Sequence, residues 1–166
     1  MDGPTFSATF SSVATTTAVR DVFQILAPTN SRLEICECEL GQESDAGDAN
    51  DELLTFQIIR GSTTSGSGGT AFIPVPHQPW GATSGSSVLT NNTTVSSSGG
   101  VAVFPHSTTF NIRAGLLYRP NAGDGKRGSN ERLFVEAGTR CTFRMGGPAD
   151  AVTLSGRLTW KEIGNV

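Results

Sequence analysis

Most of the side chains that could do chemistry in this sequence are three cysteines, two histidines and one acidic run. Cys36 and Cys38 are two residues apart, which on a strand sets them on one face, and Cys141 could join them as a third zinc ligand. The C-x-x-C spacing is absent, and both His77 and His106 are read in proline-containing loops. Free cysteine packs as a small hydrophobe, so buried, reduced thiols are the favoured reading, with no metal and no disulfide expected. Nucleophilic catalysis needs a nucleophile, a base and an orienting group. His106 beside Ser107 is only a neighbour in sequence, and neither G-x-S-x-G nor H-E-x-x-H occurs. The run ESDAGDANDE holds Glu43, Asp45, Asp48, Asp51 and Glu52. Its spacing excludes an EF-hand and leaves a looser calcium site, or an acidic loop pairing with arginines of the same or another subunit. GSTTSGSGG at 61–69 is rich in glycine but lacks the G-x-x-x-x-G-K-[ST] pattern of a phosphate loop. Of the aromatics that could stack on a sugar, Trp160 and Tyr118 are in phase with core residues, which leaves Trp80. No cofactor is expected.

The elements behind these residues are strands. Apolar residues alternate with polar ones in short runs, and a period of two is the strand period. Phe6, Ala8 and Phe10 share one face of Thr5–Ser11; Phe23 and Ile25 share one face of Asp21–Ala27. Along Arg32–Leu40 the apolar phase switches from Leu33 and Ile35 to Cys36, Cys38 and Leu40, the mark of a bulge or of a strand buried on both sides. Leu54, Phe56 and Ile58 form a strong run. Phe110, Ile112, Ala114, Leu116 and Tyr118 form the longest clean alternation, followed by 132–136, by Cys141, Phe143 and Met145, and by Val152 to Trp160. One helical turn is expected at most, within Asp45–Leu53. Strands at this spacing with turn signals between them predict an all-β, single-domain antiparallel β-sandwich, jelly-roll-like, over residues 1–166. Phe56, Ile58, Phe110, Ile112, Phe143, Leu154 and Leu158 are the expected shared core. Segments 61–70 and 81–100, rich in Gly, Ser and Thr, are read as extended loops or arms. The first spans two apolar runs as one long hairpin would. The second is long for a structureless loop, so it either forms an extra hairpin or is an arm ordered by a partner.

Composition bears on surface and partners. Leu, Ile, Val and Phe make up 38 of 166 residues, enough for a core, and the net charge of −3 gives little self-repulsion. No apolar stretch reaches a membrane span, Met1–Ser12 has no basic or apolar signal region, and the acidic balance argues against a general nucleic-acid binder. The expectation is therefore no membrane and no direct nucleic acid. Charged residues are only 16% of the chain, and Arg outnumbers Lys by 10 to 2. Lys is depleted at protein interfaces and Arg enriched, so much of the surface reads as contact between subunits.

Several segments resemble small virion structural proteins of tailed bacteriophages: LGQESDAGDANDELL, IIRGSTTSGSGG, PVPHQP, NNTTV, FNIRAGLLYRP and LSGRLTWKEI, in this order along most of the chain. The resemblance implies a non-enzymatic capsid decoration (cement) protein with a β-sandwich fold, and no catalytic residues to carry over. It implies the major capsid protein as partner, self-association, expected as a trimer, and a place on the capsid exterior after synthesis in the host cytoplasm. Interface candidates are Asp45, Asp48, Asp51, Arg60, Trp80 and Arg127. The alternatives are a carbohydrate-binding β-sandwich module near Trp80 and a tail or neck component.

Overall fold

The computed structural model describes residues 3–43, 52–79, 81–97, 103–120 and 132–164. All regular structure among them is β, in the order β1 (Thr5–Ala14), β2 (Arg20–Leu26), β3 (Ser31–Gln42), β4 (Leu53–Arg60), β5 (Thr70–Phe72), β6 (Val75–Pro76), β7 (Ser87–Asn92), β8 (Val103–Asn111), β9 (Leu116–Tyr118), β10 (Leu133–Val135), β11 (Arg140–Met145) and β12 (Thr153–Gly164). The first sheet runs β10–β3–β12–β1–β6, with β9 also paired to β3; the second runs β5–β7–β2–β11–β4–β8. Every pairing is antiparallel.

Strands β1 to β4 alternate between the two sheets, and β11 and β12 return to insert between them. The frame β1–β12–β3–β9/β10 packed against β2–β11–β4–β8 is a jelly roll, the architecture expected from the alternation. Its core is built from the inner faces of both sheets. Phe6, Leu33, Ile35, Leu154, Leu158 and Trp160 come from the first sheet; Phe23, Ile25, Phe56, Ile58, Phe143 and Met145 come from the second, and all are fully buried. Aromatic rings join the two layers. Phe10 lies 5.2 Å from Phe23 between ring centroids, and Phe56 lies 6.2 Å from Tyr118.

The phase switch in β3 is a bulge. Thr159 pairs with Glu37 and Trp160 with Ile35, so Cys36 is the extra residue. Leu33 and Ile35 face inward before it, Cys38 and Leu40 after it. The bulge therefore separates the two cysteines expected on one face: Cys38 is buried and Cys36 half-buried among charged residues. All three thiols are free.

Four expectations need correction. The alternation from Phe110 to Tyr118 is not one strand. β8 ends at Asn111, whose Oδ1 accepts the Arg113 N–H at 2.9 Å, and Gly115 has φ +71°. A side chain is strained at that φ, so glycine allows the turn that carries the chain across to the first sheet as β9. Second, β4 and β5 form no hairpin: β4 pairs with β8 and β11, while β5 lies at the opposite edge on β7. Third, of the readings open for segments 61–70 and 81–100, loop and added strand replace the arm where described: β7 sits inside the second sheet, and Thr64 and Ser67 of the 61–69 loop form bridges with Ser97 and Thr94. Fourth, His106 is not in a loop but on β8, opposite Ile58, with its ring 4.5 Å from that of Tyr118.

Six of the seven expected core residues are fully or nearly fully buried. Phe110, near the end of an edge strand, is half-buried against the core. Phe143→Ala should thus cost roughly 3–5 kcal/mol in urea unfolding, and Phe110→Ala less than half of that. Equal losses would show that the edge position is as enclosed as the centre.

Candidate functional site

The described buried thiols and the His106–Tyr118 pair are biased toward their neutral forms. Burial pushes the Cys38 thiol far above its ordinary range and Cys141 up to about 12, which disfavours the thiolate that attacks or ligates. Burial raises Tyr118 to about 12 and lowers His106, so each of these two neighbouring rings is biased toward its neutral form. Among the described residues no group of three or more His, Cys, Asp or Glu is placed to hold a metal ion. Glu52 is buried, and its carboxylate accepts the N–H groups of Ala149 at 2.9 Å and Asp150 at 3.1 Å, so this acid ties down its own chain. Asp45, Asp48, Asp51, Trp80 and Arg127 lie outside the described residues. Arg60 is exposed at the end of β4, where its Nη1 donates to the Phe134 carbonyl at 3.5 Å.

The two sheets differ in their outer faces. On the second sheet, Asp21, Gln24, Thr142 and Arg144 point away from the core, yet Asp21 and Thr142 are completely buried. The cover is made by segments 61–69 and 93–97, which bridge to each other. Gln24 donates to Ser65 Oγ at 2.6 Å and accepts the Gly66 N–H at 2.8 Å. The Ser96 and Thr142 hydroxyls are 3.0 Å apart. Asp21 accepts from Arg144 Nε at 2.7 Å and from the Ser96 N–H at 2.5 Å, while Arg144 Nη2 donates to the Ser96 carbonyl at 2.8 Å. Glycine permits this cover to lie close: a Cβ on Gly66 would sit 2.6 Å from Asn92 Nδ2 and 2.7 Å from the Thr94 carbonyl oxygen. The sequence carried a trace of this layer, since Asp21 and Gln24 stand on either side of the apolar pair Val22 and Phe23 in β2; nothing local in it says what covers them.

Among the described residues no comparable layer covers the outer face of the first sheet around Glu37. There Glu37 on β3 pairs with Arg119 and Arg157, both at 2.5 Å, and Arg157 reaches Glu39 at 3.0 Å. Arg132 pairs with the buried Glu34 at 3.1 Å. The guanidinium groups of Arg32 and Arg132 lie over the Phe134 ring, 4.7 and 5.9 Å from its centroid. Arg119, Arg132 and Arg157 each keep about half of their side chains exposed, at 49%, 50% and 46%. Leu117 is 54% exposed on the same face. Beside the ladder, a shallow depression of about 670 Å³ is lined by Glu39, Arg113, Leu117 and Arg157 among others. Burial opposes ionisation of Glu37, but hydrogen bonds and charge from Arg119 and Arg157 outweigh it and hold its carboxyl below the usual range. The face is a preformed set of arginine donors, suited to contact with another protein surface. Sequence reading selected Arg60 and Arg127; the ladder arginines were missed because their juxtaposition follows from the pairing of β9 and β12 with β3.

No family model and no curated protein matches the sequence. Among solved structures, the infectious bursal disease virus Gx strain structure is 15% identical, with 99% of this chain and 39% of that chain covered and a TM-score of 0.13. The VP2 subviral particle of the same virus is 14% identical, with 99% and 40% covered and a TM-score of 0.11. Likenesses of that size carry no argument about this chain. Its own strand order is what defines it as a jelly-roll β-sandwich.

Two outcomes follow. Removing one partner of a buried ion pair strands the other, so Arg144→Met should cost roughly 3–5 kcal/mol, against about 1 or less for the exposed Arg119→Ala, both read by chemical denaturation. Glu37 has a folded pKa below its unfolded one, so its contribution is present above the unfolded value and lost as pH falls through the folded value. Stability curves of Glu37→Gln should accordingly fall less steeply below pH 4.5 than those of the parent; parallel curves would remove Glu37 from the acid response.

Proposed function

We propose that this chain is a non-enzymatic structural protein of a virion, a capsid decoration or cement protein of a tailed bacteriophage. It self-associates, as a trimer, on the capsid exterior and bridges neighbouring copies of the major capsid protein. The observation that carries this reading is the open face of the first sheet, where half-exposed arginines surround Glu37 and Glu39. Arg119, Arg132 and Arg157, three of the chain's ten arginines, are half-exposed on this face, and arginine is enriched at interfaces where lysine is depleted. The phage assignment itself rests on the sequence resemblance. The Gly/Ser/Thr segments no longer support it as partner-seeking arms, since their described parts cover the chain's own second sheet.

The cementing role is mechanical. A protein that binds across subunits only in the assembled shell adds binding free energy to that shell and opposes expansion under internal DNA pressure. A contact of this kind should bury at least about 1,000 Å² in total. The test is to prepare particles with and without this protein and heat both. Particles lacking it should release their genome at lower temperature, and Arg119→Glu combined with Arg157→Glu should abolish its attachment. Equal heat resistance with and without the protein ends the cementing reading, and attachment undiminished by the double variant removes the open face from it.

A further inference from the structure

A second cavity has no part in the interface reading. It is a cleft of about 430 Å³ at the edge of the sandwich where β1 faces β5 and β7, walled by Phe10 and Val13 of β1, Phe72 of β5 and Asn91 of β7, with Arg20 of β2 among its lining. Arg20 is 3% exposed and Asn91 8% exposed. The Arg20 Nε, the Asn91 Nδ2 and the Asn91 Oδ1 are buried without a hydrogen-bond partner. None of the described residues lining the cleft is acidic. The adjacent Asp21 belongs to the other face of β2, where Arg144 and Ser96 take up both of its oxygens.

Each of these features is unfavourable to the fold. A buried guanidinium without an anion is strongly unfavourable, and a buried amide with neither donor nor acceptor satisfied adds to it. Backbone strain falls at the same place. Among the described residues, the non-glycine residues with positive φ are Asn91 at 56° and Ser12 at 54°. Asn91 lines the cleft, and Ser12 sits between the lining residues Ser11 and Val13, where the register of β1 shifts. Strained backbone and unsatisfied polar groups gathered at one concave site are the marks of a ligand site.

We infer that this cleft binds a carboxylate, held by Arg20 and Asn91 between the Phe10 and Phe72 rings. The chemistry follows from the donors. One buried positive charge balances one negative charge, and the planar guanidinium matches a carboxylate through paired hydrogen bonds. Asn91 offers a donor and an acceptor together, so the occupant carries a hydroxyl or amide beside its carboxylate. A free hydroxy acid has this chemistry, and so has an aspartate within another polypeptide.

The test is a nitrogen-15 NMR titration of the full chain, following the Arg20 Nε–H and Asn91 side-chain amide signals. The probes are glycolate, N-acetyl-aspartate N-methylamide and inorganic phosphate. Glycolate binding identifies a free acid as the source, and binding of the aspartate amide alone identifies a polypeptide carboxylate. In either case both signals shift together, and Arg20→Met and Asn91→Gly each weaken binding roughly tenfold or more. Asn91→Gly suits the positive φ and keeps the fold even where Arg20→Met does not. No shift at the highest soluble concentration of either carboxylate, tighter binding of phosphate, or an affinity unchanged in Asn91→Gly overturns the assignment.

Discussion

A carboxylate buried without donors is too costly for a domain of this size to carry, and Asp21 is completely buried. Its position is made tolerable by Arg144 from the neighbouring strand and by the N–H of Ser96 from a loop. That one group requires β2 and β11 to be in register and the 93–97 segment to be laid across them. Once that segment is in place, its bridges to 64 and 67 hold the 61–69 segment over Gln24 and Thr142. Much of the Gly, Ser and Thr in these stretches is thereby accounted for. These residues form a thin polar layer whose backbone approaches a sheet closely and whose hydroxyls satisfy the groups it covers.

The consequence is an asymmetric molecule. The β2 and β11 strands of the second sheet are enclosed on both sides, by the core and by the polar layer, while Leu53 and Thr55 of β4 stay exposed. On the first sheet the described residues place no such layer over the arginine and glutamate ladder around Glu37. Exposed ion pairs of this type contribute little to folding. Arginine in such a ladder keeps a planar hydrogen-bonding geometry and is weakly hydrated, which is the basis of the proposed contact with another surface. At the edge between the sheets, positive φ and buried polar atoms without hydrogen-bond partners occur together around Arg20 and Asn91.

Period-two alternation, the scarcity of lysine, and the phase switch at Cys36 were legible in the sequence because each is a local property. Side chains of a strand alternate whatever it pairs with, and one inserted residue inverts the phase wherever it falls. From them came the all-β class, nearly all of the named core residues and the bulge in β3. Partnership between distant strands was decided by tertiary structure alone. Phe110 to Tyr118 alternates without a break, yet Gly115 turns the chain from one sheet to the other, because glycine's tolerance of positive φ leaves no mark on the polarity pattern. Cys36 was separated from Cys38, Ser96 brought to Asp21, and Arg119 and Arg157 set on either side of Glu37, by registers joining residues scores of positions apart. Hydrophobic periodicity reports which face of a strand is buried. It does not report against what, and the polar layer, the ladder and the cleft are all made by that second choice.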